Sequence, residues 1–402
     1  MPPVLGLPDL DLESIEYHEN IYINARVKSK PNCPRCSSSH IYVKDSFERR
    51  INHTRLGNQL TVVRFTSYKY LCKSCGKYFN LKIQGLLGKR QSTECFRLDV
   101  FERHQGGVTQ RYLSTTHKIS HATVERWYKD FIYKRISEMK GRKVPIVLGI
   151  DEHFFTKKKG YATTLVDLKN HKVFDVVLGR SELSLEGYLS KLPNKDRVKV
   201  VVMDLSSTYR SIVKKYFPNA KIVADRFHVV RLINFQFLKA WKQFDPVGRQ
   251  NRGLLSLMRR HEDKLTEEQK LKLEKYFKKF PHLQIMWKFK HELHNLMRCK
   301  DLCKDTVWQK IHEFLPMITH LKESQLESLK TLGDTLYSWR DEIGRMWRFS
   351  KTNSITEGLH NKMEMISRRA FGFRNFENYR LRVLALCGWN GVINRTRKFN
   401  LT

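Results

Sequence analysis

Asp151 and Asp204 each close an aliphatic run, and Glu357 stands at the head of a helical stretch. The first run is Val144-Pro145-Ile146-Val147-Leu148-Gly149-Ile150; the second is Val198-Lys199-Val200-Val201-Val202-Met203. Runs of this length and composition read as buried strands. Three carboxylates so placed offer hard oxygen ligands for two divalent cations roughly 4 Å apart, the arrangement that cuts or joins phosphodiester bonds. A shared aspartate lets one ion activate the attacking oxygen while the other stabilises the leaving one. A single carboxylate is more often a solvated surface acid; the joint placement of the three carries the reading.

Two positions have competing explanations. Side chains on a strand alternate faces, so Asp151 and Glu152 cannot both address one metal pair, and Asp151 is taken as the ligand. Ser354-Ile355-Thr356-Glu357 also reads as a capping box, in which the glutamate only satisfies the first amides of the helix. Beyond it Ile355, Leu359, Met363 and Ile366 form a buried stripe, and Glu357, Asn361, Glu364 and Arg368 share another face. Glu364, and then Asp225, are therefore the fallback third ligands.

The elements that must position these acids follow from periodicity. From Val144 the order is strand to Asp151, strand Tyr161 to Leu168, strand Lys172 to Leu178, helix Ser184 to Leu192, strand to Asp204, helix Ser207 to Phe217 and strand Lys221 to Val223. Three hairpin-linked strands followed by alternating helix and strand make an α/β layout with a mixed sheet, in the order of an RNase H-like catalytic core. Residues 231–345 are a charged, helix-periodic insertion between the two parts of that core, 143–230 and 346–402. Its tryptophans, Trp241, Trp287, Trp308, Trp339 and Trp347, are expected mainly in the core, with one free to stack on an unpaired base. His291, His294, Cys299 and Cys303 have ordinary helical spacings and read as packing or surface residues rather than a second metal site.

Ahead of the core, Cys33-Pro34-Arg35-Cys36 and Cys72-Lys73-Ser74-Cys75-Gly76 are two Cys-x-x-Cys pairs. Together they form a Cys₄ set for a structural Zn²⁺, with no open coordination position. Residues 37–71 exceed the usual spacer, so a long hairpin is expected there, built from Gln59 to Phe65 and on through Tyr68 and Tyr70. This zinc-ribbon-like module spans 1–88. Residues 89–142 read as a helix-turn-helix: Gly106-Gly107 breaks one helix, a second runs from Val108 to about His117, and Ser120 caps a third. On the third helix Val124, Trp127, Tyr128 and Phe131 form the apolar face. His121, Thr123, Arg126 and Lys129 are then the DNA-reading candidates.

Composition bounds the partners. With 75 Lys+Arg against 40 Asp+Glu, the formal charge is +35, and the basic residues are interleaved with 23 Phe, 16 Tyr and 7 Trp. That balance favours nucleic acid. The opening residues lack a basic-then-apolar leader, and no apolar stretch approaches the ~20 residues of a membrane helix, so a cytoplasmic chain is expected, with no membrane partner and no small-molecule substrate. Eight cysteines in that setting point to metal ligands or buried thiols rather than disulfides.

With these residues in view the chain resembles the transposases of the ISL-three insertion-sequence family, bacterial enzymes that use two aspartates and a glutamate behind an N-terminal zinc finger and helix-turn-helix. The resemblance rests on the paired cysteines, Gly149-Ile150-Asp151-Glu152, Val202-Met203-Asp204, Phe217-Pro218-Asn219-Ala220, Asp225-Arg226-Phe227-His228-Val229-Val230, and Thr352-Asn353-Ser354 before Glu357-Gly358. It implies Asp151, Asp204 and Glu357 as the catalytic set, loaded with Mg²⁺ or Mn²⁺, with Asp225 and His228 in support. It implies terminal inverted repeats and target DNA as double-stranded partners and a nucleoid-associated bacterial location. Joining two ends implies a homodimer or larger assembly on DNA, and basic residues around Arg368 and Arg369 are expected on backbone phosphates. The alternatives are a DNA-binding regulator that keeps the fold without the chemistry, and an RNase H-type nuclease.

Overall fold

Alternating apolar positions build the N-terminal sheet of this computed structural model, which describes residues 6–86, 91–349 and 354–389. Strands β1 (Leu10–Tyr17), β2 (Ile21–Val27), β3 (Ile41–Leu56), β4 (Gln59–Cys72) and β5 (Tyr78–Asn80) assemble in the order β1-β2-β4-β3, with β5 on β4. β3 and β4 form the expected long hairpin, turned at Gly57 with φ +61°. Ile21, Ile23 and Ala25 of β2 and Val63 and Phe65 of β4 point to one side, where they meet Leu7, Leu10, Ile51, Ile83 and Leu86.

Three helices follow: α1 (Glu94–Gln105), α2 (Gln110–His117) and α3 (His121–Glu138). Thr93, Thr109 and Ser120 cap them, each side chain accepting a hydrogen bond from an amide of the first turn. Their core is Phe96, Val100, Leu113, Val124 and Trp127. Arg97 is buried beside it and is neutralised by Glu94 at 2.9 Å and Asp130 at 2.7 Å. The described residues to Lys140, with Ser367–Gly372, form one unit; Gly141–Ile366 and Phe373–Trp389 form the other.

The second unit holds a five-stranded mixed sheet in the order β10-β9-β6-β7-β8. Its strands are β6 (Val147–Thr156), β7 (Gly160–Asp167), β8 (Lys172–Leu178), β9 (Val200–Met203) and β10 (Lys221–Ala224), with α4 (Glu182–Leu189) and α5 (Ser207–Tyr216) between them. β6, β9 and β10 run parallel; β6-β7 and β7-β8 are antiparallel. β6 extends five residues past Asp151, because its ladder with β7 continues beyond the point where β9 stops. Asp151 thus lies inside a strand rather than at its close. α4 likewise starts at Glu182 under a Ser181 cap, two residues before the predicted start.

Helix α6 (Arg226–Phe244) leaves β10 and enters the insertion, which is helical as expected: α7 (Pro246–Gln250), α8 (Arg252–Arg259), α9 (Glu267–Lys279), α10 (Pro281–Arg298), α11 (Lys304–Lys322), α12 (Glu327–Ser338) and α13 (Arg340–Arg348). Trp241, Trp287, Trp339 and Trp347 are core residues, and Trp308 is 56% exposed. α14 (Ser354–Arg369), as far as Ile366, and α15 (Phe376–Val383) complete the unit, α15 running into a π-helical turn at Leu384–Gly388. Ser354 is already helical, so the cap of α14, with Thr352 and Asn353, lies outside the described residues.

Candidate active site

The parallel strands set the acids in a row. Ile150 pairs with Met203 and Met203 with Ala224, so Asp151 on β6 and Asp204 and Asp225, each just past the end of its strand, stand one step beyond three paired residues. Neighbouring strands are ~4.8 Å apart, which brings the three side chains into electrostatic reach. Burial comes first in pushing the Asp151 carboxyl up to about 7, and Asp204 and Asp225 add to it; the Glu152 amide and His228 pull the other way. Asp204 is raised too, by burial first and then by Glu152 and Asp225 against His228. The Asp204 Oδ1 atom is buried and has no hydrogen-bond partner among the described residues. A buried carboxylate oxygen without a donor is costly, and a divalent cation is the partner its chemistry fits.

Helix α14 lies against the face of β6 that carries Gly149 and Asp151. A Cβ at Gly149 would sit 3.0 Å from Leu168 Cδ2 and 3.2 Å from Thr356 Oγ1, so the glycine is what lets α14 come this close. One turn further on, His360 Nδ1 is 3.9 Å from Asp151 Oδ2. His360 Nε2 hydrogen-bonds with Thr164 Oγ1 at 3.0 Å, which also meets His153 Nδ1 at 2.9 Å, and His153 Nε2 meets the Tyr379 hydroxyl at 2.9 Å. Burial lowers His360 to about 4 and, with His360 beside it, His153 to about 3. Both rings are neutral at pH 7, so the 3.9 Å approach of His360 to Asp151 is packing rather than an ion pair. Glu152 pairs with Arg180 at 3.1 Å and still lies within electrostatic reach of Asp204.

Glu357 is exposed on the first turn of α14, three residues before His360, and has no hydrogen-bond or ion-pair partner among the described residues. Glu364 is exposed as well. His228, half-buried on α6, has Nε2 3.7 Å from Asp225 Oδ2, and Asp225 is 2% exposed. Among the described residues Asp151, Asp204 and Glu357 do not close around one point: the only set of three or more His, Cys, Asp or Glu with ligand atoms all within 4.8 Å of one another is Cys33, Cys36, Cys72 and Cys75.

That cysteine set is built from two matching knuckles. Ser37 (φ 56°) and Gly76 (φ 70°) turn the chain after each pair, and their amides donate to the Cys33 and Cys72 carbonyls. The Sγ atoms of Cys33 and Cys75, and of Cys36 and Cys72, are 3.6 Å apart. Tetrahedral zinc at ~2.3 Å from each sulfur requires about 3.8 Å between sulfurs, so the donor set fits the ion. Burial raises the Cys33 thiol, but the Arg35 and Cys36 amides and the neighbouring thiols outweigh it and lower it to about 6. The Ser38 amide opposes the other thiols at Cys36, yet they push it up to about 12.

Two family models match the chain, one in each unit. The zinc finger of the IS204/IS1001/IS1096/IS1165 transposases matches residues 29–75, which contain all four cysteines. The DDE transposase family of the ISL3 type, described as a transposase, matches residues 148–383, from β6 through α15. The chain belongs to the ISL-three family of transposases. The transposase for insertion sequence element IS1001 of Bordetella parapertussis is 22% identical over 396 residues, covering 94% of this chain and 96% of the relative.

In this transposase the remaining candidates fall as follows. His121, Arg126 and Lys129 are exposed on α3, with Thr123 half-buried; Arg126 donates to Thr123 Oγ1 at 3.0 Å and Lys129 pairs with Glu125. Arg368 and Arg369 are exposed at the end of α14. His291 and His294 are buried in the insertion, both lowered to about 3 by burial and then by Lys290. No described helix is long and apolar enough to cross a membrane. The contacts of His360, His153 and Tyr379 were not anticipated. His153 shares the Asp151 face of β6 at i+2 and His360 follows Glu357 at i+3, so spacing alone held a signal for two of the three.

Proposed function

We propose that this transposase binds double-stranded DNA at terminal inverted repeats, cleaves at the element ends, and joins the freed 3′-hydroxyl to target DNA. The observation that carries this is the row of in-register acids with a buried, unpartnered Asp204 oxygen. The strand order, parallel at β10-β9-β6 and antiparallel at β6-β7-β8, supports an RNase H-like core, in two parts at 143–230 and 346–402 around the insertion 231–345. Asp151, Asp204 and Glu357 would hold magnesium or manganese. Bound there, two such ions supply activation of the attacking oxygen and neutralisation of charge at the leaving one.

The protein's own residues do the rest. His360 packs beside the Asp151 carboxyl, and Asp225 with His228 sets the charge beside the pair. Arg368 and Arg369 would contact backbone phosphates. For end recognition, the three-residue link from Lys118 to Ser120, with Lys118 left-handed at φ 48°, supports a helix-turn-helix within 89–142. The zinc-bearing module 1–88 would share that task. Two ends must be joined together, so the working assembly is a dimer or larger.

The test is purified protein with Mg²⁺, a labelled terminal repeat and a plasmid target, scored for joined product. Product from wild type and none from Asp204→Asn is expected. Binding without cleavage would identify a regulator, and cleavage without joining a nuclease. A second assignment of the third ligand has its own support, since Asp225 stands in the row and Glu357 does not. Full joining by Glu357→Gln together with loss in Asp225→Asn would move that role to Asp225.

A further inference from the structure

Helix α6 begins at the acid row, its N-cap being Asp225, and carries a stripe unlike its buried side. Val229, Ile233, Gln236, Phe237, Ala240 and Trp241 face the core. His228, Arg231, Phe235, Lys239 and Lys242 recur at spacings that place them along the other face. Opposite this stripe lie Arg249 and Arg259, from α7 and α8, and the space between is a groove of about 460 Å³. None of Arg231, Lys239, Lys242, Arg249 and Arg259 has an ion-pair partner among the described residues. Phe235, in the middle of them, is 61% exposed.

We propose that this groove binds one strand of unpaired DNA, its phosphates on the five cations and a base stacked on Phe235. Five unneutralised cations in a trough call for a polyanion whose charges are themselves in a line. An exposed aromatic among them selects a strand with free base faces, which a paired duplex does not offer along its length. At 1.5 Å per residue the stripe runs about 21 Å from His228 to Lys242, long enough for several phosphates. The strand would therefore leave the acid row along α6, as DNA flanking the reacting bond. This direction rests on the proposed chemistry; the groove's affinity does not.

The test measures binding of full-length, zinc-loaded protein to a labelled mixed-sequence single-stranded oligonucleotide by fluorescence anisotropy over a range of salt, without added magnesium. Three variants are compared with wild type: Lys239→Ala/Lys242→Ala/Arg259→Ala in the groove, Phe235→Ala, and Lys272→Ala/Lys275→Ala/Lys279→Ala on the exposed side of α9 as a control of equal charge change. The groove triple should flatten the slope of log K against log salt by about 2, at ~0.7 per lost phosphate contact. Phe235→Ala should weaken binding by roughly five-fold or more with the slope unchanged. The control should leave both near wild type. Equal effects of groove and control triples, or wild-type affinity in Phe235→Ala, would overturn the proposal. Because no cleavage is scored, failure here leaves the acid-row chemistry standing, and a catalytically dead protein that still discriminates these variants leaves the groove standing.

Discussion

Replacing Asp151 by Asn should stabilise the protein at pH 8 when no magnesium or manganese is present, and destabilise it relative to wild type when either ion is added. Asp151 is buried, with its side chain 13% exposed, and its carboxyl is pushed up from 3.8 to about 7. A group raised in the folded state contributes stability in full below its unfolded value, and that contribution is lost as pH climbs through the folded one. Here the loss runs from about pH 4 to about pH 7. At 1.36 kcal/mol per unit the ceiling is on the order of 4 kcal/mol, and relaxation with water entry brings the expectation to about 2. Asparagine keeps an oxygen for the Glu152 amide, which donates to Asp151 Oδ1 at 2.8 Å, so the substitution removes charge and little else. For a unit of this size, about 2 kcal/mol is roughly 4–8 °C in Tm. Thermal unfolding of zinc-loaded protein at pH 4 and pH 8, with no chelator, measures it. The Asp151→Asn variant should match wild type at pH 4, exceed it at pH 8, and fall below it at pH 8 once manganese stabilises the wild type by binding. An equal offset at both pH values, or a destabilised variant at pH 8 without metal, would refute the claim that the carboxylates repel in an under-solvated row.

Two further outcomes follow from close contacts. Gly149→Ala puts a methyl group 3.0 Å from Leu168 Cδ2 and 3.2 Å from Thr356 Oγ1; overpacking of this kind costs about 1–3 kcal/mol. It should lower Tm and reduce strand joining by shifting α14 off β6, while terminal-repeat binding, measured by anisotropy, stays at the wild-type level. Cys72→Ser removes one of four thiolates drawn within 4.8 Å of one another. Metal analysis should find bound zinc reduced from one per chain, and repeat binding should weaken with it; full zinc content in the variant would show that the four sulfurs do not form the site.

How much of this was legible depends on the range of the interaction. Composition and spacing located the strands of the second unit, the end of β6 apart, to within a few residues, because apolar β-branched runs bounded by polar turns are a local signal. The Cys₄ centre was legible for the same reason: each knuckle is a four-residue motif, and the span between them had no reading but a hairpin. The side of α3 was legible from 3.6-residue periodicity, and Val124, Trp127, Tyr128 and Phe131 are indeed buried. What spacing could not supply was pairing. Nothing in the chain near Asp151 reveals that β7 prolongs β6 to Thr156, since the polar Asp151-Glu152-His153 segment breaks the apolar run while the ladder continues. The contacts linking His360, Thr164, His153 and Tyr379 join four separate elements and exist only once the helices pack on the sheet. Exposure of Trp308, alone among Trp241, Trp287, Trp308, Trp339 and Trp347, likewise depends on which helix face finds a neighbour.

The register that forms the acid row is itself held from outside the sheet, which gives the insertion a structural role besides any surface it offers. Slipping β10 by one residue against β9 would put Ala224 or Arg226 where Asp225 stands, and would turn every side chain of that strand to the other face. A four-residue strand with one ladder to a single neighbour is weakly protected against such a slip. The insertion closes that freedom at two points. Arg226, next to Asp225, donates to the carbonyls of Cys299 at 2.6 Å and Met346 at 3.2 Å, and Arg345 of α13 donates to the Ile222 carbonyl of β10 at 3.1 Å. Burial lowers the Arg226 pKa, so its guanidinium depends on those carbonyls for compensation and cannot leave them without being stranded. Three charge-assisted bonds therefore oppose the slip, and two of them start from the residue that follows the acid. The repulsion among buried carboxylates pushes the row apart, and the insertion's grip on both ends of β10 is what keeps Asp225 in line with Asp151 and Asp204.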